Sequence, residues 1–243
     1  LAAITITSNA QNGMDDEMLD RADSLYHSFQ EPEALEAYKT ILEQDPNRFT
    51  ALWRTSFLYS RIGNRLESEE RQREYFNRGI ELARRALNVD STDARSNFVM
   101  AVAMGRKAII SRVRERVAAS RDIKKYAERA IRLDSTHAGA WHVLGRWHHK
   151  VANLGFLERA AANTLFGGIP DASEKKAVEA IERAIRLNPK YMLYYYDLAR
   201  AYRSMGRDEQ AIETCEKALG MPPLTPDDPK IREECRELIS ELQ

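Results

Sequence analysis

A chain of 243 residues, 43% apolar and 30% charged, has enough apolar side chains for one or two domains with a well-solvated exterior. Lys plus Arg and Asp plus Glu balance at 37 each, which excludes a global electrostatic bias toward nucleic acid or an anionic membrane. Any charge-based specificity must come from how the charges are arranged.

Residues 1–13 run apolar and then small, and Ser8-Asn9-Ala10 before Gln11 fits a small-x-small cleavage site. They read as the remnant of a bacterial secretory signal, or as a disordered leader. The first reading places the protein in the periplasm or outside the cell, with the cytoplasm as the alternative. Residues 14–243 are expected to form a single domain. No apolar stretch reaches the ~18 residues of a transmembrane segment.

From there the chain repeats itself. YKTILEQDP, ARRALNVDS, AERAIRLDS, IERAIRLNP and CEKALGMPP end at Pro46, Ser91, Ser135, Pro189 and Pro223. Each reads as the second half of an amphipathic helix. The triplets Ala34-Tyr38-Ile41, Gly79-Ala83-Ala86, Ile123-Ala127-Ala130, Ala177-Ile181-Ala184 and Ala211-Cys215-Ala218 hold small or apolar residues on one face. The terminal Pro or Ser is expected to stop the helix. A second helix follows each stop, marked by Leu52, Tyr59 and Gly63, by Trp141, Leu144, Gly145 and His148, and by Tyr195, Leu198, Ala199, Tyr202 and Gly206. This is the tetratricopeptide pattern. It predicts an all-α fold, a tetratricopeptide-like α-solenoid of about five helical hairpins.

Extra residues fall between the two helices of a repeat. Arg65–Arg78 and Lys107–Arg121 are charged and Ala-containing, which favours longer helices. Val151–Ser173 is expected to extend a helix through Phe166, stop at Gly167-Gly168 and turn at Pro170. Its Phe156, Leu157, Leu165 and Phe166 are either core or a lid over a groove. Asp228–Leu242 has one apolar face and reads as the capping helix of the solenoid. Cys215 and Cys235 are too few for a disulfide framework and read as buried thiols, with a disulfide as the alternative.

Leu144-Gly145-Arg146-Trp147, Leu157-Glu158-Arg159-Ala160-Ala161 and Leu165-Phe166-Gly167-Gly168-Ile169-Pro170 are more specific than generic tetratricopeptide text. With Ala177–Pro189 and Asp228–Leu238 they resemble the regulator of microtubule dynamics family, over about residues 20–240. The resemblance implies a helical-repeat protein associated with microtubules or with contacts between endoplasmic reticulum and mitochondria. For one branch it implies phospholipid binding in the repeat domain. A secreted protein would meet no microtubules, so only a groove for a peptide or a lipid is expected to carry over.

In tetratricopeptide stacks the first helix of each repeat lines the concave face. Projecting that register selects Trp53, Phe57, Arg61, Arg95, Arg106, His142, Arg146, His149, Lys150, Tyr196, Arg200 and Arg203 as the candidate groove. Repeats two to five place Lys and Arg there but no Asp or Glu, whereas repeat one places Asp16 and Asp23 on that face. The expectation is a basic groove suited to an acidic or extended peptide, a free carboxylate or a phospholipid headgroup. His148, Trp141 and Trp147 are expected to pack in the core. No Walker loop, dinucleotide motif, nucleophile elbow or metal-ligand spacing occurs. The chain therefore reads as a non-enzymatic binding or scaffold protein without metal or cofactor, with a protein or peptide partner and no nucleic acid. The alternative is a phospholipid-binding solenoid. It requires an apolar channel, with the insert's Phe156, Leu157, Leu165 and Phe166 pointing inward.

Overall fold

A computed structural model describes residues 16–243, which are helical with no strand among them. The leader expected over residues 1–13 lies outside the described residues. Five hairpins follow one another: α1 (residues 16–27) with α2 (Glu31–Gln44), α3 (Phe49–Asn64) with α4 (Glu69–Val89), and α5 (Ala94–Ile109) with α6 (Val113–Leu133). Next come α7 (Ala138–Ala152), α8 (Phe156–Phe166) and α9 (Glu174–Leu187), in which α7 pairs with α9 and α8 is inserted between them. The fifth hairpin is α10 (Met192–Ser204) with α11 (Asp208–Leu219), and α12 (Asp228–Leu242) caps it. The protein is an all-α, tetratricopeptide-like solenoid.

The repeated triplets are the glue between layers. Every residue of Ala34-Tyr38-Ile41, Gly79-Ala83-Ala86, Ile123-Ala127-Ala130, Ala177-Ile181-Ala184 and Ala211-Cys215-Ala218 is buried. Small side chains at these positions let the first helices approach closely. The tightest approach is at Gly145 of α7, where an added Cβ would sit 2.5 Å from Ile181 Cγ1 and 3.1 Å from the Ala177 carbonyl oxygen of α9. Trp147 and His148 are buried and Trp141 is partly so; the indole N–H groups of Trp141 and Trp147 donate to the carbonyls of Ser135 and Ser120.

The helix stops differ in detail from the expected Pro or Ser. In α2, α4 and α6 the residue that leaves helical geometry is the preceding Asp45, Asp90 or Asp134. Its carboxylate accepts the N–H two residues on, from Asn47 at 3.0 Å, Thr92 at 2.8 Å and Thr136 at 2.8 Å. Such an Asx turn offers the backbone an alternative to the helix ladder. Asn188 repeats the device at 3.4 Å after α9.

The charged inserts lengthen α4 and α6 to 21 residues each, as their composition predicts. The fourth insert departs from expectation: it does not extend α7 but forms a separate helix. The Asn153 carboxamide donates to the His149 carbonyl at the end of α7, and Gly155 N–H donates to Glu158 Oε2 at 3.0 Å to begin α8. This break turns α8 onto α6. Gly167 ends α8 at φ 72, a left-handed conformation in which a Cβ would be strained. Cys215 and Cys235 are free thiols, fully buried between α10, α11 and the cap.

Candidate functional site

The first helices α3, α5, α7 and α10 contact one another in sequence and form the concave face. Their inner side bounds a cavity of about 950 Å³, at the upper end of the usual range for small-molecule sites. Its walls are largely apolar: Phe57, Phe98, Val102, Ile109, Val117 and Val143 line it, and Leu154, Ala162, Phe166 and Pro170 of the fourth insert close one side.

Of the residues selected from the register, Phe57, Arg61, Arg106, His142, Arg146, His149, Lys150 and Arg200 meet around this one cavity. Trp53, Arg95, Tyr196 and Arg203 lie outside it. Trp53 packs edge-on against Tyr26, and the guanidinium groups of Arg54 and Arg95 stack on its ring. Arg95 also pairs with Asp93 of its own helix cap at 2.6 Å, and Arg203 pairs with Glu241 of the capping helix at 2.7 Å. Of Phe156, Leu157, Leu165 and Phe166, only Phe166 lines the cavity. Leu165 is half-buried, and Phe156 and Leu157 point to solvent, 84% and 67% exposed.

The cations of the cavity are not equivalent. Asp197 of α10, only 5% exposed, lies behind the lining and gathers two of them together with His142. His142 Nε2–H donates to its Oδ2 at 2.8 Å, while Arg146 and Arg200 each approach it at 3.5 Å. Burial opposes ionisation of this carboxyl. The two arginines and His142 outweigh that and hold it below the usual carboxylate range. Burial pushes His142 down, against the raising effect of Asp197. His149 is paired in the same way with Glu174 of α9 at 2.8 Å.

Arg61 belongs to a second cluster that joins the two ends of the solenoid. It contacts Glu31 of α2 at 2.8 Å and Asp227 of the loop before α12 at 3.4 Å. Arg65 pairs with the same two carboxylates, reaching Asp227 at 3.1 Å. Asp228 fixes that loop by accepting the N–H groups of Leu224 and Thr225 and the Thr225 hydroxyl, at 2.6, 2.8 and 2.7 Å. An ion-pair clasp thus ties repeats one and two to the loop before the cap, at the wall of a concave chamber that stays partly open.

Arg106 stands apart. Among the described residues it has no ion-pair partner, and it donates only to the Asn64 carboxamide oxygen at 2.6 Å. Burial and, next, the charge of Arg146 push its pKa down to about 10, so it stays cationic at neutral pH. Lys150 at the rim is also pushed down, by burial and then by Arg200 and Arg146.

Register reasoning missed Asp197 and Asp227. Asp197 interrupts the aromatic run YYYDLARAY, which is a local signal of a buried carboxylate with partners. Asp227 sits in a Pro-rich loop with no periodic signal. No group of three His, Cys, Asp or Glu able to hold a metal ion occurs among the described residues, and no described helix is long and apolar enough to cross a membrane.

A concave chamber built from first helices defines a tetratricopeptide-type solenoid. In agreement, a thermophilic TPR protein from Thermus thermophilus superimposes with a TM-score of 0.67 at 18% identity, covering 93% of this chain and 99% of that one. More specifically, the profile of the family described as regulator of microtubule dynamics protein 1-3 matches residues 18–243, and the chain belongs to that family. Regulator of microtubule dynamics protein 3 of Rattus norvegicus is 26% identical over 98% of this chain and 51% of its own length. Protein 3 of Xenopus laevis is 27% identical over 91% and 49%, and protein 2 of Mus musculus 26% over 94% and 56%. The chain thus spans about half the length of the curated relatives it matches.

Proposed function

We propose that the protein is a non-enzymatic binding module whose concave chamber takes an elongated amphipathic ligand, apolar along most of its length and anionic at one end. The observation that carries this reading is Arg106, which among the cations of a largely apolar-walled chamber has only a neutral amide as side-chain partner among the described residues. A half-buried cation without a counter-charge is poorly compensated, and the anionic end of a ligand supplies one. The apolar walls suit an acyl chain, so a phospholipid or a fatty acid meets both demands. The enclosure by the insert and the clasp favours this reading over the open furrow expected for an extended peptide.

A second reading, capture of an acidic peptide, draws support from Asp227. The chain's own carboxylate reaches Arg61 and Arg65 as an acidic side chain of a partner would. Scaffolding by a tetratricopeptide-type surface is compatible with either ligand.

Native mass spectrometry with lipid extraction of the purified protein separates the two readings. Expected is a co-purified anionic amphiphile whose occupancy falls at least tenfold in Arg106→Met. A lipid-free protein that takes up no oleate, and binds an acidic peptide equally well with and without Arg106→Met, would remove the first reading in favour of the second.

A further inference from the structure

Phe156 and Leu157 occupy the first turn of α8 and are 84% and 67% exposed, the most exposed large apolar side chains among the described residues. They belong to no repeat triplet and touch no core cluster. Ile109, at the end of α5, is 51% exposed and also lines the cavity. An ion pair between Arg116 of α6 and Glu158 of α8, at 3.0 Å, fixes the start of α8 against the start of α6. The exposed apolar tips are thereby set beside the α5–α6 turn, at the side of the chamber closed by the insert.

The charges around them are lopsided. Arg112 of that turn and Arg114 at the start of α6 are exposed, as are Arg159 on α8 and Lys150 at the rim of the chamber, and none of the four has a carboxylate partner among the described residues. Glu158 is consumed by Arg116, leaving Glu115 as the local unpaired acid among the described residues. In a chain of zero net charge this is a concentrated positive collar around an apolar tip.

We infer that this corner of the molecule docks on the surface of an anionic lipid bilayer. Phe156, Leu157 and Ile109 insert at the level of the headgroups, and Arg112, Arg114 and Arg159 lie against the anionic lipids. Exposed aromatic and leucine side chains at the start of a helix, flanked by cations, are suited to insertion at the level of the headgroups. Three apolar tips are too small a patch for a stable protein–protein interface, which buries about 800 Å² on each partner. A bilayer needs no shape-complementary partner. Docking here would bring the insert side of the chamber against the lipid. The inference rests on exposure and charge at this corner, and so stands independently of what the chamber holds.

Vesicle co-sedimentation tests it, comparing pure phosphatidylcholine with phosphatidylcholine containing about one-third phosphatidylglycerol. Expected is binding to the anionic vesicles that weakens steeply with salt and drops at least tenfold in the double variant Phe156→Asp/Leu157→Asp, with unchanged thermal stability. A second variant, Phe156→Trp, reports insertion directly: brominated acyl chains should quench its added fluorescence relative to the parent protein. Absence of binding to the anionic vesicles, equal binding by the double variant, or an unquenched added signal from the bound Phe156→Trp protein would each overturn the inference. Docking by a protein whose chamber is empty would leave it standing while removing the ligand reading.

Discussion

Asp197→Asn removes one charge and little volume from the buried cluster behind the cavity, so its effect isolates the electrostatics. In the parent protein the carboxylate accepts from His142 at 2.8 Å and faces Arg146 and Arg200 at 3.5 Å. Removing one member of a fully buried pair costs about 3–5 kcal/mol. Here the side chains of Arg146 and Arg200 are 29% and 36% exposed and regain water, which lowers the expected cost to about 2–3 kcal/mol. At about 2–4 °C per kcal/mol for a chain of this size, the midpoint should fall by roughly 4–12 °C. Circular dichroism melts over a pH series measure it, and hydrogen exchange should localise the loss to α7 and α10. The pH dependence has a definite sign. A carboxyl held below its usual range contributes stability that is complete above its unfolded pKa of about 3.9, so the deficit is present throughout pH 5–8. His142 is also pushed below its unfolded value, so it withdraws stability as pH falls through about 6.5. Without Asp197 it is pushed lower still, and the deficit of the variant should widen between pH 7 and pH 5. A variant within about 0.5 kcal/mol of the parent at pH 7, or a deficit that narrows toward pH 5, would refute the assignment of Asp197 as the counter-charge of this cluster.

Two glycines should respond to alanine with opposite signs. At Gly145 the new methyl meets Ile181 and backbone atoms of α9, so overpacking of about 1–3 kcal/mol exceeds the helix-propensity gain; at Gly105 nothing lies within 4 Å and about 0.5–1 kcal/mol of stabilisation is expected, both read by chemical denaturation. Asp227→Ala should release the clasp, costing about 1–2 kcal/mol and raising hydrogen exchange at the end of α3 and the start of α12. Protection unchanged in both segments would show that the ion pairs do not hold the chamber closed.

Much of the candidate site was legible because a solenoid makes it so. Each repeat contacts mainly its neighbours, so a position within the repeat fixes a position on the concave face. Phe57, Arg106, Arg146 and Arg200 could be placed from spacing alone. The same reasoning does not capture why Trp53 and Arg95 stand outside the cavity: α1 supplies Tyr26 against the Trp53 ring, and a contact from a neighbouring helix is invisible to a register. It also took the cations as a free basic surface. Several of these side chains are paired with Asp197, Glu174, Glu31 and Asp227, which, apart from Asp197 beside Arg200 on α10, come from other elements than their partners.

What the sequence determined by itself was the helical-repeat architecture, the buried small-residue triplets and the family. The first two depend on short-range periodicity, which a linear chain displays openly, and the family on the local motifs Leu144–Trp147, Leu157–Ala161 and Leu165–Pro170. Only the tertiary structure decided that the groove is a chamber. Its closure joins Arg61 to Asp227 across most of the chain, through the summed rotation of five hairpins and the break at Asn153–Gly155 that turns α8 inward. Small rotations accumulate over a stack, and no local pattern records their sum.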